Sequence, residues 1–222
     1  MKTAKLKRVD LIFDKTSTRE VLTKAAKMKP EDITKEVLES GLRGRGGAGF
    51  PTGMKWKFTA AEKGEKYVVC NADEGEPGTF KDRQILDQVP RKVFAGMALA
   101  GKAVGARTGY IYLRGEYKFL VPKLMEELEF FHSRLKELGY DFKIELRLGS
   151  GAYICGEESA LFESIEGKRG EPRNKPPYPT ASGLFGKPTV INNVETLVYT
   201  VEILAYGAKK FKRAKNALTL GI

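Results

Sequence analysis

The stretch Glu39-Ser-Gly-Leu-Arg-Gly-Arg-Gly-Gly-Ala-Gly-Phe-Pro-Thr-Gly-Met-Lys-Trp56 holds six glycines and three cationic side chains, Arg43, Arg45 and Lys55. Glycine opens backbone conformations closed to other residues and lets N–H groups converge on an anion. A chain with this segment must therefore fold around an ordered cationic loop, and such a loop suits a phosphate. The spacing Gly44-x-Gly46-x-x-Gly49 matches GxGxxG, but that pattern marks the first turn of a Rossmann unit only when a strand precedes it. Residues 30–40 read instead as a helix, with Pro30 at its start, Glu31 and Asp32 in its first turn and Gly41 just past its end. The loop thus predicts a dinucleotide or flavin phosphate held beyond a helix C-terminus.

A second helix is expected over 17–28. Further on, Lys66-Tyr-Val-Val-Cys-Asn71 is a short β-rich run that fits a buried strand. Residues 90–105 read as a small-residue helix and 108–113 as a strand. Residues 122–138 read as an amphipathic helix with Leu124, Leu128, Phe131, Leu135 and Leu138 on one face, and 142–148 as a further strand. A helix over 157–166, a long Gly/Pro/Lys-rich loop over 167–188 and a helix over 192–206 complete the pattern. Strands alternating with helices imply an α/β fold, a mostly parallel sheet with helices on both faces. The expected division is a basic tail with helices over 1–40 and a non-classical Rossmann-like domain over 41–222. Ligands in such sheets bind beyond the carboxyl ends of the strands, which singles out the loops 71–78 and 149–156.

The chain of 222 residues can bury a substantial core, and Lys+Arg exceed Asp+Glu by 39 − 28 = 11. That excess fits an anionic cofactor, an acidic partner, nucleic acid or a solvated surface. Its clusters, at 2–8 and 209–215, lie near the termini and point to no one of these. The start of the chain lacks a signal-peptide pattern and no apolar run reaches about 18 residues, so a cytoplasmic location without membrane insertion is expected. Arg43-Gly-Arg-Gly-Gly occurs once, between regular elements, so an RNA-binding repeat segment is not expected.

The two cysteines, Cys70 and Cys155, and the single histidine, His132, complete neither a zinc site nor a cysteine-ligated cluster, and they build no nucleophile–base pair. Hydrolase chemistry is disfavoured, and a cofactor-based reaction positioned by the protein fits better. Asp73, Glu74 and Glu76 read as a metal site, a capping cluster, acceptors for ribose or ring N–H groups, or a solvated acidic turn. Phe50 and Phe58 read as core residues or as stacking platforms. Asn192 and Asn193 read as helix caps.

Four blocks, Gly41-Leu-Arg-Gly-Arg-Gly-Gly-Ala-Gly-Phe-Pro-Thr-Gly-Met-Lys-Trp56, Cys70-Asn-Ala-Asp-Glu-Gly-Glu-Pro-Gly78, Gly151-Ala-Tyr-Ile-Cys-Gly-Glu-Glu-Ser-Ala-Leu161 and Gly186-Lys-Pro-Thr-Val-Ile-Asn-Asn-Val-Glu-Thr-Leu197, stand in one order. Together they resemble the NADH-binding flavoprotein subunit of respiratory complex I and the related subunit of NAD-dependent hydrogenases and formate dehydrogenases, from about residue 33 to the end. The resemblance implies FMN and NAD(H) as cofactors, with hydride passing from NADH to flavin and electrons passing on to iron–sulfur subunits, a thioredoxin-like one included. It implies that Gly44, Arg45, Gly46, Lys55, Asn71, Asp73, Tyr153, Gly156, Glu157, Asn192, Asn193 and Thr196 hold FMN. Phe50, Phe58, Glu76 and Glu158 line the NADH side on the same ground. Gly47, Gly49 and Glu74 belong to the same shared cofactor-binding set. Members of that family usually continue into a ubiquitin-like domain and a helical domain with a four-cysteine motif, which this sequence lacks. The expectation is therefore no iron–sulfur cluster in this chain and electron exit through a partner. The competing expectation is a non-catalytic nucleotide-binding or assembly subunit.

Overall fold

The computed structural model describes residues 11–149 and 151–219, with side chains up to residue 214. Helices α1 (Thr18–Ala26) and α2 (Pro30–Glu39) come first. The Ser17 side chain accepts from the Glu20 N–H and caps α1, while Pro30 opens α2. The glycine loop follows, then α3 (Thr52–Ala61), strand β1 (Tyr67–Ala72), α4 (Lys81–Gln88) and α5 (Pro90–Val104). Gly105 ends α5 in the left-handed region at φ 79°. Strand β2 (Thr108–Leu113), α6 (Val121–Glu137) and β3 (Lys143–Leu148) continue the chain. After them come α7 (Glu158–Ile165), β4 (Thr189–Asn193), α8 (Val194–Tyr206) and α9 (Ala208–Thr219).

The strands form one parallel sheet in the order β3-β2-β1-β4. Side chains alternate across it with period two. Val68, Cys70, Ala72, Ile111, Leu113, Ile144 and Val190 face the larger core, filled by α5, α8 and α6 and flanked by Leu22 of α1, Ile33 of α2 and Trp56 of α3. Tyr67, Val69, Tyr110, Tyr112 and Ile191 face a smaller core closed by Leu161 and Phe162 of α7 and by Leu184. Both faces are covered over β1, β2 and β4, as their largely apolar runs require, whereas β3 at the sheet edge is partly exposed.

The expected helices over 17–28, 30–40, 90–105, 122–138 and 157–166 are present within a few residues, as are the first three strands. Four elements differ from expectation, one of them α9, since no element was expected beyond residue 206. The glycine-rich segment runs directly into α3, because Pro51 at its N-cap starts a helix despite Gly53. Residues 81–88 form α4. Thr189–Asn193 is a strand where a loop end and a helix start were expected, and the helix begins at Val194 with Asn193 as its cap. Thr-Val-Ile is too short to show a strand period, and only parallel pairing with Tyr67–Asn71 of β1 makes it one. The outer side of β4 is partly covered by α3: Lys55 Nζ donates to the Ile191 carbonyl at 3.2 Å. The basic cluster at 2–8 lies outside the described residues, whereas 209–215 falls in α9. Among the described residues no helix is long and apolar enough to cross a membrane.

Two polar contacts fix the frame away from the strand ends. Lys92 Nζ lies 2.7 Å from both Glu202 Oε1 and Asp14 Oδ1, and Glu202 Oε2 accepts from Thr16 at 2.7 Å. Burial pushes the Glu202 carboxyl up, against the opposing pull of Lys92 and Thr16. This pair joins α5 and α8, and losing one partner would leave a buried charge uncompensated. His132 Nε2 accepts the Ile144 N–H at 2.9 Å, so the histidine of this chain is engaged with strand β3.

Helices α5 and α8 touch at Gly96, where a β carbon would sit 2.3 Å from the Leu197 carbonyl oxygen. A backbone atom cannot rotate away, so Gly96→Ala must part the helices. We expect a loss of about 1–3 kcal/mol, read as a lower midpoint in chemical denaturation.

Candidate functional site

Strands β2 and β3 extend the sheet to one side of β1, and β4 lies on the other. The strand order reverses between β1 and β4, and a crevice opens there beyond their carboxyl ends, as expected at a topological switch point. The register sets Asn71 of β1 opposite Asn193 of β4. A cleft of about 330 Å³ fills this crevice, lined by Asn71, Ile191, Asn192 and Asn193 from the strand ends. Gly44, Gly46, Ala48, Gly49, Phe50 and Lys55 line it from the glycine segment, and Gly156, Glu157, Glu158 and Lys175 from the far wall.

The glycine segment forms a closed loop. Gly44 N–H donates to Phe50 O at 2.9 Å and Thr52 N–H to Leu42 O at 2.9 Å, pinching its neck beside the antiparallel bridge of Arg43 and Pro51. The turn at its tip needs φ of 111° at Gly47 and 63° at Gly49, a region that side chains disfavour. The Arg45 N–H donates to Thr196 Oγ1 in the first turn of α8 at 2.9 Å, which ties the loop down over the cleft. The Arg45 guanidinium lies 5.6 Å from the Tyr199 ring centre, and its buried Nε has no hydrogen-bond partner.

Polar side chains of the floor are held by specific contacts. Trp56 Nε1 donates to Asn192 Oδ1 at 2.9 Å, and Asn71 Nδ2 donates to Gly156 O at 2.9 Å. Asn71 Oδ1 in turn accepts the Asp73 N–H at 3.0 Å, which shapes the exit of β1. On the far wall Glu157 caps α7, accepting from the Ser159 and Ala160 N–H groups at 2.8 and 2.9 Å. Burial disfavours its charge, yet the hydrogen bonds from Ser159, Ala160 and Lys175 outweigh it and hold the carboxyl below its ordinary range.

Lys175 joins Glu157 and Glu158, with Nζ 3.0 and 2.8 Å from their oxygens, and Lys55 Nζ stands 4.0 Å from Glu158. Burial lowers the Lys55 ammonium, with Glu158 opposing and Lys175 adding to the shift. Two cations and two carboxylates thus line one cleft. Lys175 was not among the expected site residues. It arrives on the long 167–188 segment, anchored by Arg173, whose guanidinium bonds Glu163 and Glu166 of α7 and its following turn and the Gly183 carbonyl. Its signal in the sequence was the ordered Gly/Pro/Lys loop, which does not say where a lysine points.

Not every expected residue lines the cleft. Glu74 is 7% exposed, and its carboxylate accepts from the Asp82 and Arg83 N–H groups at the start of α4 and from Tyr117 OH at 3.0 Å. The structure thus gives it the capping role weighed for this cluster and turns it away from the cleft. Thr196 acts through the Arg45 backbone. Phe58 sits on α3, 45% exposed, and Phe50 is 44% exposed at the cleft itself. Tyr153 OH donates to Glu76 Oε1 at 2.6 Å, clasping the 71–78 loop to the far wall above Gly75. No group of three or more His, Cys, Asp or Glu suited to a metal ion exists among the described residues.

Asp73, next to this clasp, is half-buried, and its carboxyl is pushed up to about 6 by burial and by Glu116, with Arg114 opposing. A carboxyl raised in the folded state contributes stability below its unfolded value and loses it as pH rises through about 6. Asp73→Asn should therefore raise the melting temperature at pH 8, and the gain should shrink as pH falls below 6. Thermal denaturation of both proteins across that range checks it.

The family model of the Nuo51 FMN-binding domain matches residues 37–202. The alpha subunit of the NAD-reducing hydrogenase HoxS of Cupriavidus necator is 50% identical over 210 residues, 89% of this chain and 34% of that subunit. An NADH-quinone oxidoreductase subunit of Aquifex aeolicus is 48% identical over 220 residues, 96% of this chain and 52% of that subunit. The crystal structure of an NAD⁺-reducing [NiFe]-hydrogenase in the H2-reduced state superposes with a TM-score of 0.87 at 47% identity, covering 92% of this chain and 36% of that one. The chain spans about half or less of the length of these relatives. The family-model match over residues 37–202, which carry the cleft at the β1–β4 switch point and the glycine loop that roofs it, makes the chain a member of the Nuo51 FMN-binding domain family.

Proposed function

We infer that this chain is an FMN-binding module that exchanges hydride with NAD(H) and passes electrons to iron–sulfur subunits of a larger redox complex. The observation that carries the reading is the cleft itself, where the glycine loop, the Asn71–Asn193 strand ends and the start of α7 meet. Its volume of about 330 Å³ falls in the range of small-molecule sites. Three features suit a flavin nucleotide. The buried Nε of Arg45 lacks a partner beside a glycine loop. Gly46 lines the cleft without a side chain, so a ligand can approach its backbone. Amide and ammonium groups from Asn71, Asn192, Asn193 and Lys55 offer the donors that a ring edge, ribityl chain and phosphate require.

FMN, when bound, supplies a two-electron acceptor that takes hydride from a dihydronicotinamide and gives electrons up singly. What the protein contributes is binding and orientation. Gly44, Arg45, Gly46, Lys55, Asn71, Asn192 and Asn193 hold the flavin nucleotide, with Thr196 fixing the loop. Exposed Phe50 and Phe58 offer flat faces to a second ring system, and the acids Glu76 and Glu158 accept from its ribose hydroxyls. Lys175 balances the acids of the far wall. The relatives named as hydrogenase and quinone oxidoreductase subunits support redox partners for this module.

The chain reconstituted with FMN should keep a visible flavin band through desalting, and anaerobic NADH should bleach it. A chain that retains no FMN, or whose flavin NADH leaves oxidised, would overturn the reading. Lys55→Met should weaken FMN binding by about tenfold or more, since a hydrogen bond to a charged group contributes about 1.5–3 kcal/mol. Fluorescence titration of the apo chain measures it.

A further inference from the structure

Asn193 joins β4 to α8, lines the cleft, and is hydrogen-bonded at both ends of its side-chain amide. Its Oδ1 accepts from the Glu195 N–H at 3.0 Å and from Lys81 Nζ at 3.2 Å. Its Nδ2 donates to Asp82 Oδ2 at 2.6 Å. Turning the amide over would set its nitrogen against two donors and its oxygen against a carboxylate, so only one orientation satisfies the surroundings. Asp82 is 3% exposed and lies outside the cleft lining. Its other oxygen takes Lys81 Nζ at 2.7 Å, and the same ammonium reaches Glu195 Oε2 at 3.2 Å. Glu74, accepting the Asp82 N–H at 3.0 Å, fixes α4 and with it this carboxylate.

We propose that Asp82 and Lys81 are positioning residues that lock the Asn193 amide, leaving its second N–H as a donor for an oxygen acceptor on the flavin nucleotide. The relay rests on the FMN reading above. Asp82 fixes which way the amide points, and the Lys81 ammonium and Glu195 N–H on its oxygen draw electron density from its nitrogen, so the lock orients the remaining donor and strengthens it. A merely structural Asp82 would hold α4 to α8 and affect ligand binding only through general loosening. A positioning Asp82 acts through Asn193 and has no effect once that amide is gone.

A double-mutant cycle on the apo chain separates the two, read as FMN affinity by fluorescence quenching. Asp82→Asn offers Asn193 and Lys81 a side chain that cannot accept from both as a carboxylate does. It should weaken FMN binding about tenfold. Asn193→Ala should weaken it at least as much, and adding Asp82→Asn to Asn193→Ala should change affinity less than about twofold. Lys81→Met, at a side chain 42% exposed, keeps the test open should Asp82→Asn fail to fold. It should weaken FMN binding in the parent and not in Asn193→Ala. Losses that multiply in the double variants, or single variants that bind FMN like the parent, would overturn the relay. A parent chain that binds no FMN would instead overturn the functional reading itself.

Discussion

The parallel pairing of β4 with β1 is the constraint on which the rest of the site depends. In a sheet buried on both faces every backbone N–H and C=O must find a partner, so β4 can sit there only in register along β1. Parallel register brings the carboxyl ends of the two strands to one edge, and α4 and α8 leave that edge in succession. The crevice there follows from the reversal of strand order at that point.

Side chains that cap helices are also the ones that build the cleft. Asn193 caps α8, Glu157 caps α7 and Glu74 caps α4. Each satisfies N–H groups that a helix start leaves open. The same bonds pin the residue in place, so cap and site are fixed together. Glu74 is the exception in direction, since its carboxylate faces Tyr117 and α4 and leaves Asp73 and Glu76 to the loop surface. Packing supports these ends from below: Gly96 lets α5 press against α8, and Trp56 reaches from α3 to Asn192.

Charge is arranged with similar economy. Lys55 and Lys175 face Glu157 and Glu158 across one wall, so neither sign is left alone in a partly buried space. The basic excess that the composition displays does not gather in the cleft. Part of it lies on α9, whose Lys209, Lys210, Lys212 and Arg213 are exposed.

The sequence by itself determined the α/β class, three of the four strands, most helices and the glycine loop with its cations. Those features depend on local chemistry: period-two and 3.6-residue patterns, proline at helix starts, glycine where φ is positive. It also marked the four blocks from which the cleft residues other than Lys175 come, because long motifs keep residue type and spacing together. Only the tertiary structure decided that Thr189–Asn193 is a strand, since a five-residue run acquires that state from its neighbour rather than from its own pattern. Only it decided that Lys175 enters the cleft, that Glu74 turns away from it, and that Asp82 reaches Asn193 across 111 positions of sequence. The direction of a side chain on a loop or helix start is set by partners far along the chain, and no local pattern carries that information.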